Sequence, residues 1–412
     1  MDRRSFLGLL SVSLLASGGI REAVASSSKE PLTICVSLDA QRLVVFSGLD
    51  EIASSPISSG KAGHTTPTGI FSILDKRTFH RSNIYSNAPM PHMQRLTWSG
   101  IALHASNHVP GYAASHGCVR MPNDFARDLF AMTQLQAHVV ITRESIRPKS
   151  IRHRALPDAL TPYDRLMAGN LELRLDTHDP HADGVEVASA GQMTATANDA
   201  GSAEPPRSPL RLFLTRRTHR ELTQDAQQLL NTLGFDAGAT DGFAGPRTAD
   251  ALRRFQKEAG LAPTGYLAKA DIDALYEAAG KGDVPAGHLY ARRDFVPIFD
   301  MPVHLKSPER PLGAHLLTVS AITAGRATWN GLSLSDRPAP SVAGLTALEP
   351  DASPTAAQVD LASTLDRLQL TPAISDRLSR ELTVGSSLAI SDNGLGTETG
   401  KGTDFIVVTR RG

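Results

Sequence analysis

The sequence predicts a multidomain α+β protein: a mainly β domain over residues 31–145, a small three-helix module over 209–279, and a C-terminal mixed α/β region over 287–412 whose fold the pattern does not name. Three observations carry this. At 412 residues the chain is longer than a single hydrophobic core usually supports. Apolar residues alternate with the period of strands from Leu32 onward, and from Leu222 to Leu275 they recur at helical spacing. Between the two lies a stretch, Ala188 to Pro209, so rich in Ala, Gly, Ser and Pro that it cannot bury enough apolar surface to offset its ordering entropy; residues 146–208 therefore read as a linker, with one short helix around Pro162 to Met167.

The chain opens with Arg3-Arg4-Ser5-Phe6-Leu7 and an apolar run to Ala16 that is too short to span a bilayer comfortably. Ala23-Val24-Ala25 offers a small-x-small cleavage site, so residues 1–25 read as an export signal. The paired arginines, modest hydrophobicity and extra Arg21 resemble a twin-arginine signal, which implies a periplasmic destination with no stable membrane insertion after cleavage. Lys+Arg and Asp+Glu number 42 each, leaving no basic surplus for nucleic acid. No metal or cofactor is expected. There are two cysteines, Cys35 and Cys118, and pairing them would consume the more reactive one. Cys35, within the strand-like Thr33-Ile34-Cys35-Val36, reads as a small buried hydrophobe.

In the β domain, Leu32 to Phe46 makes two alternating runs around the turn Asp39-Ala40-Gln41, the pattern of a hairpin. Ser58-Ser59-Gly60-Lys61 and Thr66-Pro67-Thr68-Gly69-Ile70-Phe71 follow, with Pro and Gly as turn formers. The densest chemistry lies in Ile101-Ala102-Leu103-His104 and Ser115-His116-Gly117-Cys118-Val119-Arg120. A thiolate is the nucleophilic form of cysteine, and a histidine can hold or create it near neutral pH. Gly117 removes a side chain beside the sulfur and frees main-chain N–H groups to face an oxyanion. By residue type alone the simpler account is a buried cysteine beside a hydrogen-bonded histidine, and either His104 or His116 fits as the base.

These segments together, from about Leu32 to about Thr142, resemble the L,D-transpeptidase (YkuD-type) catalytic domain: its opening strands, its S-x-G-K…T-P-x-G-x-F segment, and a histidine followed by S/T-H-G-C-x-R/N. The resemblance implies acyl transfer on peptidoglycan stem peptides. Cys118 forms a thioester with the L-centre residue of a tetrapeptide donor, terminal D-alanine leaves, and an acceptor stem or a protein amine takes the acyl group, giving 3-3 cross-links or wall attachment. It also implies His104 as base with the carbonyl of Ala105 orienting its ring, His116 as a wall of the site, and Gly117 and Cys118 as oxyanion donors. Carbapenems inhibit the family. Arg120 suits a substrate carboxylate or ties the motif loop to the fold, and Ser115 is placed beside it on the substrate side. His108 reads as a loop residue, Asn123 as the cap of a helix bearing Phe125, Leu129 and Phe130, Met90 to Gln94 as a cleft wall, and Trp98 as core. An L,D-carboxypeptidase or wall-amide hydrolase would use the same residues, and a non-catalytic wall-binding protein is the alternative of another class.

In the helical module, Gln227, Leu230, Leu233-Gly234, Asp241-Gly242-Phe243, Gly245-Pro246, Thr248, Phe255-Gln256 and Thr264-Gly265 resemble the peptidoglycan-binding type 1 domain, which implies cell wall as partner. Beyond it, Leu289 to Leu305 and Ala314 to Ala321 read as strands, Arg326 to Pro354 as a loop-rich insertion and Thr364 to Leu382 as helical. Ser387 to Ile390 and Asp404 to Val408 read as a terminal hairpin. Acidic Asp392, Glu398 and Asp404 read as loop polarity rather than a cation site.

Overall fold

The computed structural model describes residues 30–82, 87–161, 207–335, 359–400 and 402–410. The signal, most of the linker and its short helix lie outside them. In the N-terminal part, β1 (Leu32–Ser37), β2 (Arg42–Ser47), β3 (Asp50–Pro56), β4 (Thr68–Ser72), β5 (Asp75–Arg81), β6 (Pro89–Arg95), β7 (Ala102–Ala105) and β8 (Val119–Met121) precede α1 (Asn123–Met132) and β9 (His138–Thr142). β1 and β2 pair antiparallel around the expected turn, where Gln41 takes φ 46°. β5-β6-β7-β8 form a four-stranded sheet. It packs on the β1/β9 sheet through Ile34, Val36, Val45, Phe71, Leu103, Val119 and Met121, with Ala126 and Leu129 of α1 closing that core. Alternation explains the pattern: Ile34 and Val36 face this core while Cys35 points to the opposite face.

That opposite face is covered as well. β10 (Lys149–Ile151) lies within the expected linker. β11 (Arg211–Arg216) precedes three helices, α2 (His219–Thr232), α3 (Pro246–Glu258) and α4 (Lys269–Ala278). Then come β12 (Gly287–Arg293), β13 (Val296–Leu305), β14 (Ala314–Thr323), β15 (Arg326–Leu334), α5 (Leu361–Asp366), β16 (Leu368–Gln369), α6 (Pro372–Glu381), β17 (Ser387–Ser391) and β18 (Val407–Arg410). An eight-stranded sheet runs β10-β15-β14-β17-β11-β12-β13-β16. Its Phe213, Leu316, Leu332 and Ala389 pack with Phe405 on Cys35, Phe46, Ile70 and Val140.

Several expectations change here. Arg211–Arg216, expected at the start of the helical module, is an inner strand of the large sheet, and the helices are an insertion between β11 and β12. Arg326–Leu334, expected as loop, is a strand paired with β14, because Trp329, Leu332 and Leu334 find apolar partners across the sheet. The helical stretch Thr364 to Leu382 is two helices separated by β16, with Pro372 opening the second. The terminal hairpin does not form. β17 pairs with β11 and β14, whereas β18 pairs antiparallel with β4, completing the first sheet in the order β18-β4-β9-β1-β2-β3. A local alternating pattern signals a strand but not its partner.

Gly69 makes this last pairing possible. Its φ is +149°, and a Cβ there would stand 1.9 Å from the carbonyl oxygen of Val407. Around the seam, Thr68 Oγ1 meets Thr409 Oγ1 at 2.9 Å and Ser72 Oγ donates to Asp404 at 2.8 Å. Asp404 also faces the buried Arg211 guanidinium at 3.4 Å, and Arg211 reaches His138 Nε2 at 2.8 Å. Gly69→Ala is expected to destabilise by about 3 kcal/mol, since backbone must move on both strands. Hydrogen exchange checks it: amides of Val407–Arg410 should lose protection while those of β1 keep theirs.

The helical module has its own core of Leu229, Leu230, Leu252, Phe255 and Leu275. Its motif glutamines are clamps on tight turns. Gln227 accepts the Gly242 N–H at 2.8 Å and donates to the Phe243 carbonyl at 3.0 Å; Gln256 does the same for Gly265 and Tyr266 at 2.8 and 3.1 Å. Both glycines have positive φ.

Candidate active site

β7 and β8 run parallel with His104 opposite Arg120. Side chains alternate along a strand, so Cys118 and Arg120, two apart, fall on the side of the sheet that His104 occupies. The chain reaches β8 through a long loop held by an outer rail. Ser58 and Arg120 exchange backbone hydrogen bonds at 3.0 Å, Ser59 O accepts from Ala114 and Ser115 at 2.9 Å, and Lys61 N donates to Ser115 O at 3.0 Å. Gln41 braces that rail, donating to Ser59 Oγ at 2.7 Å and accepting from Ser59 N at 2.9 Å. Thr66 Oγ1 accepts from Gly60 N at 2.9 Å and donates to Gly117 O at 2.7 Å. The sequence places Gln41 only in the hairpin turn and Thr66 only in the T-P-T-G-I-F segment, and it names neither as a support of the Cys118 loop.

The turn that leads into Cys118 is closed by Ser115. Its Oγ donates to Cys118 O at 2.6 Å and accepts the Gly117 N–H at 3.1 Å. Ser115 is thus a buried strut within the loop, and the Gly117 N–H, expected to face an oxyanion, is already engaged. Gly117 itself is required: its φ is +113°, and a Cβ would meet Ile101 Cδ1 at 2.9 Å.

The Cys118 thiol donates to the Gly100 carbonyl at 3.3 Å and packs against Met90, Met93 and Ala102. Burial raises its pKa, opposed by the Ala102 backbone and by Arg120 and Arg95. His104 is buried, its Nδ1 lies 2.8 Å from the Ala105 carbonyl, and burial pushes its pKa down to about 4 against the pull of that carbonyl. The raised thiol pKa and the lowered imidazole pKa both favour the neutral pair, thiol and imidazole, over the thiolate that a neighbouring histidine could hold. Cys35 is held up at about 12 by burial on the far side of the sheet.

His116 is exposed, its ring edge-on to His64 at 4.8 Å between centroids, and its pKa is lowered by desolvation and by Lys61. Geometry therefore separates the two histidines by burial. A cleft of about 370 Å³ brings His104, Ser115, His116, Cys118 and Arg120 together with Met90, Pro91, Asn107, His108 and Asn123. His108, expected as a plain loop residue, lines it. Asn123 does not cap α1, whose N-cap is Pro122; its amide donates instead to Asn107 Oδ1. Trp98, expected in the core, is 53 % exposed, because it sits at the tip of the β6–β7 turn, with the Arg95 guanidinium 5.6 Å from its ring centre.

Residues 31–141 match the L,D-transpeptidase catalytic domain. The first sheets are of the YkuD type. Residues 219–275 match the putative peptidoglycan binding domain, which coincides with the inserted helices. Among solved structures, an L,D-transpeptidase from Mycobacterium smegmatis is 22% identical, with a TM-score of 0.26, over 27% of this chain and 59% of that one. The L,D-transpeptidase (Yku) from Stackebrandtia nassauensis is 27% identical, TM-score 0.26, over 28% and 57%. One from Xylanimonas cellulosilytica is 26% identical, TM-score 0.25, over 28% and 62%. The matched part spans less than two thirds of each. No curated protein matches this chain. The YkuD-type domain carries Cys118, His104, His116 and Arg120, and among the described residues no helix is long and apolar enough to cross a membrane.

Proposed function

We propose that this chain is an exported L,D-transpeptidase that joins peptidoglycan stem peptides through a Cys118 thioester. The observation that carries the reading is the convergence of a thiol and a buried neutral imidazole, from adjacent parallel strands, on one cleft. Because Nδ1 of His104 faces a carbonyl, it bears the proton, and Nε2 keeps the lone pair. As Cys118 Sγ bonds to the carbonyl carbon of the L-centre residue, its proton passes to Nε2. The oxyanion that forms is met by the N–H of Cys118, that of Gly117 being bound to Ser115. Collapse breaks the amide bond, and D-alanine leaves with the proton from Nε2. An acceptor amine then attacks the thioester, gives its proton to Nε2, and forms the new amide while the thiol is regenerated.

In this reading Arg120, in the cleft wall, binds a stem carboxylate, and His116 shapes the mouth. The inserted helices hold the enzyme on the wall, and residues 1–25 direct it to the periplasm by the twin-arginine route. Incubating the mature protein with purified tetrapeptide muropeptides, with products read by mass spectrometry, tests the whole. Cross-linked dimers are expected. Tripeptides alone indicate hydrolysis, and unchanged substrate leaves only a binding protein.

A further inference from the structure

Asp392, Glu398 and Asp404 serve three different sites. Asp392 pairs with Arg216 and accepts from Leu312 and Gly313, and Asp404 holds Ser72 and Arg211. Glu398 alone reaches the vicinity of the nucleophile. Its Oε2 accepts the backbone N–H of Trp98 at 2.9 Å and of Ser99 at 3.4 Å. Glu398 is set in place by its neighbour Thr399, whose Oγ1 donates to the Ile406 carbonyl at 3.2 Å and accepts the Ile406 N–H at 3.0 Å. Ile406 leads directly into β18, the strand that closes the first sheet.

The turn that Glu398 grips is the one under the sulfur. Gly100, one residue past Ser99, supplies the carbonyl that accepts the Cys118 thiol, and the next residue, Ile101, lies against Gly117. The turn has internal bonds from Thr97 to Gly100 and Ile101, but its N–H groups at Trp98 and Ser99 point outward to the carboxylate. We infer that Glu398 is a positioning residue for Cys118: the C-terminal segment holds the Thr97–Ile101 turn, and through it the orientation and enclosure of the thiol. The consequence for turnover rests on the function proposed above; the effect on the thiol does not.

The sign of that effect follows from the contacts. Releasing the turn weakens the acceptor that stabilises the protonated sulfur and lets water reach it, and both changes lower the thiol pKa. The Ala102 backbone, which opposes the rise, belongs to β7 and is held by its pairing with Arg95, so it stays. Full-length Glu398→Ala and Glu398→Gln are compared with the parent, melting temperatures being recorded for each. In Glu398→Ala the pH midpoint of Cys118 alkylation by iodoacetamide should fall by about half a unit. Turnover of tetrapeptide stems should slow about fivefold with KM little changed, since the residue lies outside the cleft. Glu398→Gln keeps an acceptor oxygen and should behave as the parent in both assays. An unmoved alkylation midpoint in Glu398→Ala overturns the inference, as does Glu398→Gln matching Glu398→Ala. A shifted midpoint in a protein whose parent never processes stems supports the positioning role and refutes the transpeptidase reading.

Discussion

Cys118→Ala is expected to abolish turnover, by a factor of ~1,000 or more, whereas Cys35→Ala should leave it within about twofold of the parent. The two thiols differ in surroundings rather than in kind. Cys118 opens on the cleft beside His104 and has Arg120 and Arg95 favouring its anion; Cys35 is sealed between two sheets with its pKa pushed up to about 12. Intact-mass measurement after carbapenem treatment checks this directly: one adduct is expected, located at residue 118. An adduct on Cys35, or turnover in Cys118→Ala, removes the nucleophile from its place. Cys35→Ala also deletes a buried sulfur, so a modest loss of stability without loss of activity belongs to the same expectation.

His104→Ala should slow acylation of Cys118 on the order of a hundredfold or more, and it should reshape the pH profile. With a pKa of about 4, His104 is neutral and able to accept a proton throughout the range above that value; as pH falls through about 4 the ring becomes protonated, and the acid limb of activity is expected there. Without the ring, reaction depends on the small thiolate fraction of a cysteine whose pKa burial has raised, so the rate climbs only on the alkaline side. His116→Ala should lower the rate less and leave the acid limb in place, because the exposed ring is one element of the cleft mouth. Stopped-flow acylation across pH 3.5 to 9 distinguishes them. If His116→Ala loses the acid limb and His104→Ala keeps it, the two roles are exchanged.

Much of the site was legible because its requirements are local. Gly117 before Cys118 marks a missing side chain beside the sulfur, and the glycine indeed takes φ +113°; the adjacent parallel strands that carry His104 and Arg120 were not read from the pattern. The hairpin at Asp39 and the three inserted helices were legible for the same reason: period, turn residues and caps act over a few residues. What escaped depends on partners distant in sequence. That Ser115 takes the Gly117 N–H, that Thr66 ties the same turn, and that burial keeps both thiol and imidazole neutral are properties of packing. The sheet order escaped too. Val407 to Arg410 announces a strand, but that its partner lies more than 300 residues earlier is set by Gly69 and the Asp404 seam, neither of which speaks in the pattern of β18 itself.

The seam between β18 and β4 also has a bearing on timing. The sheet beside the Cys118 loop is begun by residues near position 32 and is not finished until residues near 410 arrive, so the loop closed in between spans most of this sequence. Such a fold is expected to be slow to complete, because contacts between segments so far apart in sequence carry a large loop-closure cost. During synthesis the N-terminal part emerges early with its β4 edge open, and chains cut short ahead of Glu398 lack both the edge strand and the grip on the turn beneath Cys118. On the role inferred for Glu398, the setting of Cys118 depends on the C-terminal segment, and fragments that carry the Ser115–Arg120 motif without that segment should be poor catalysts.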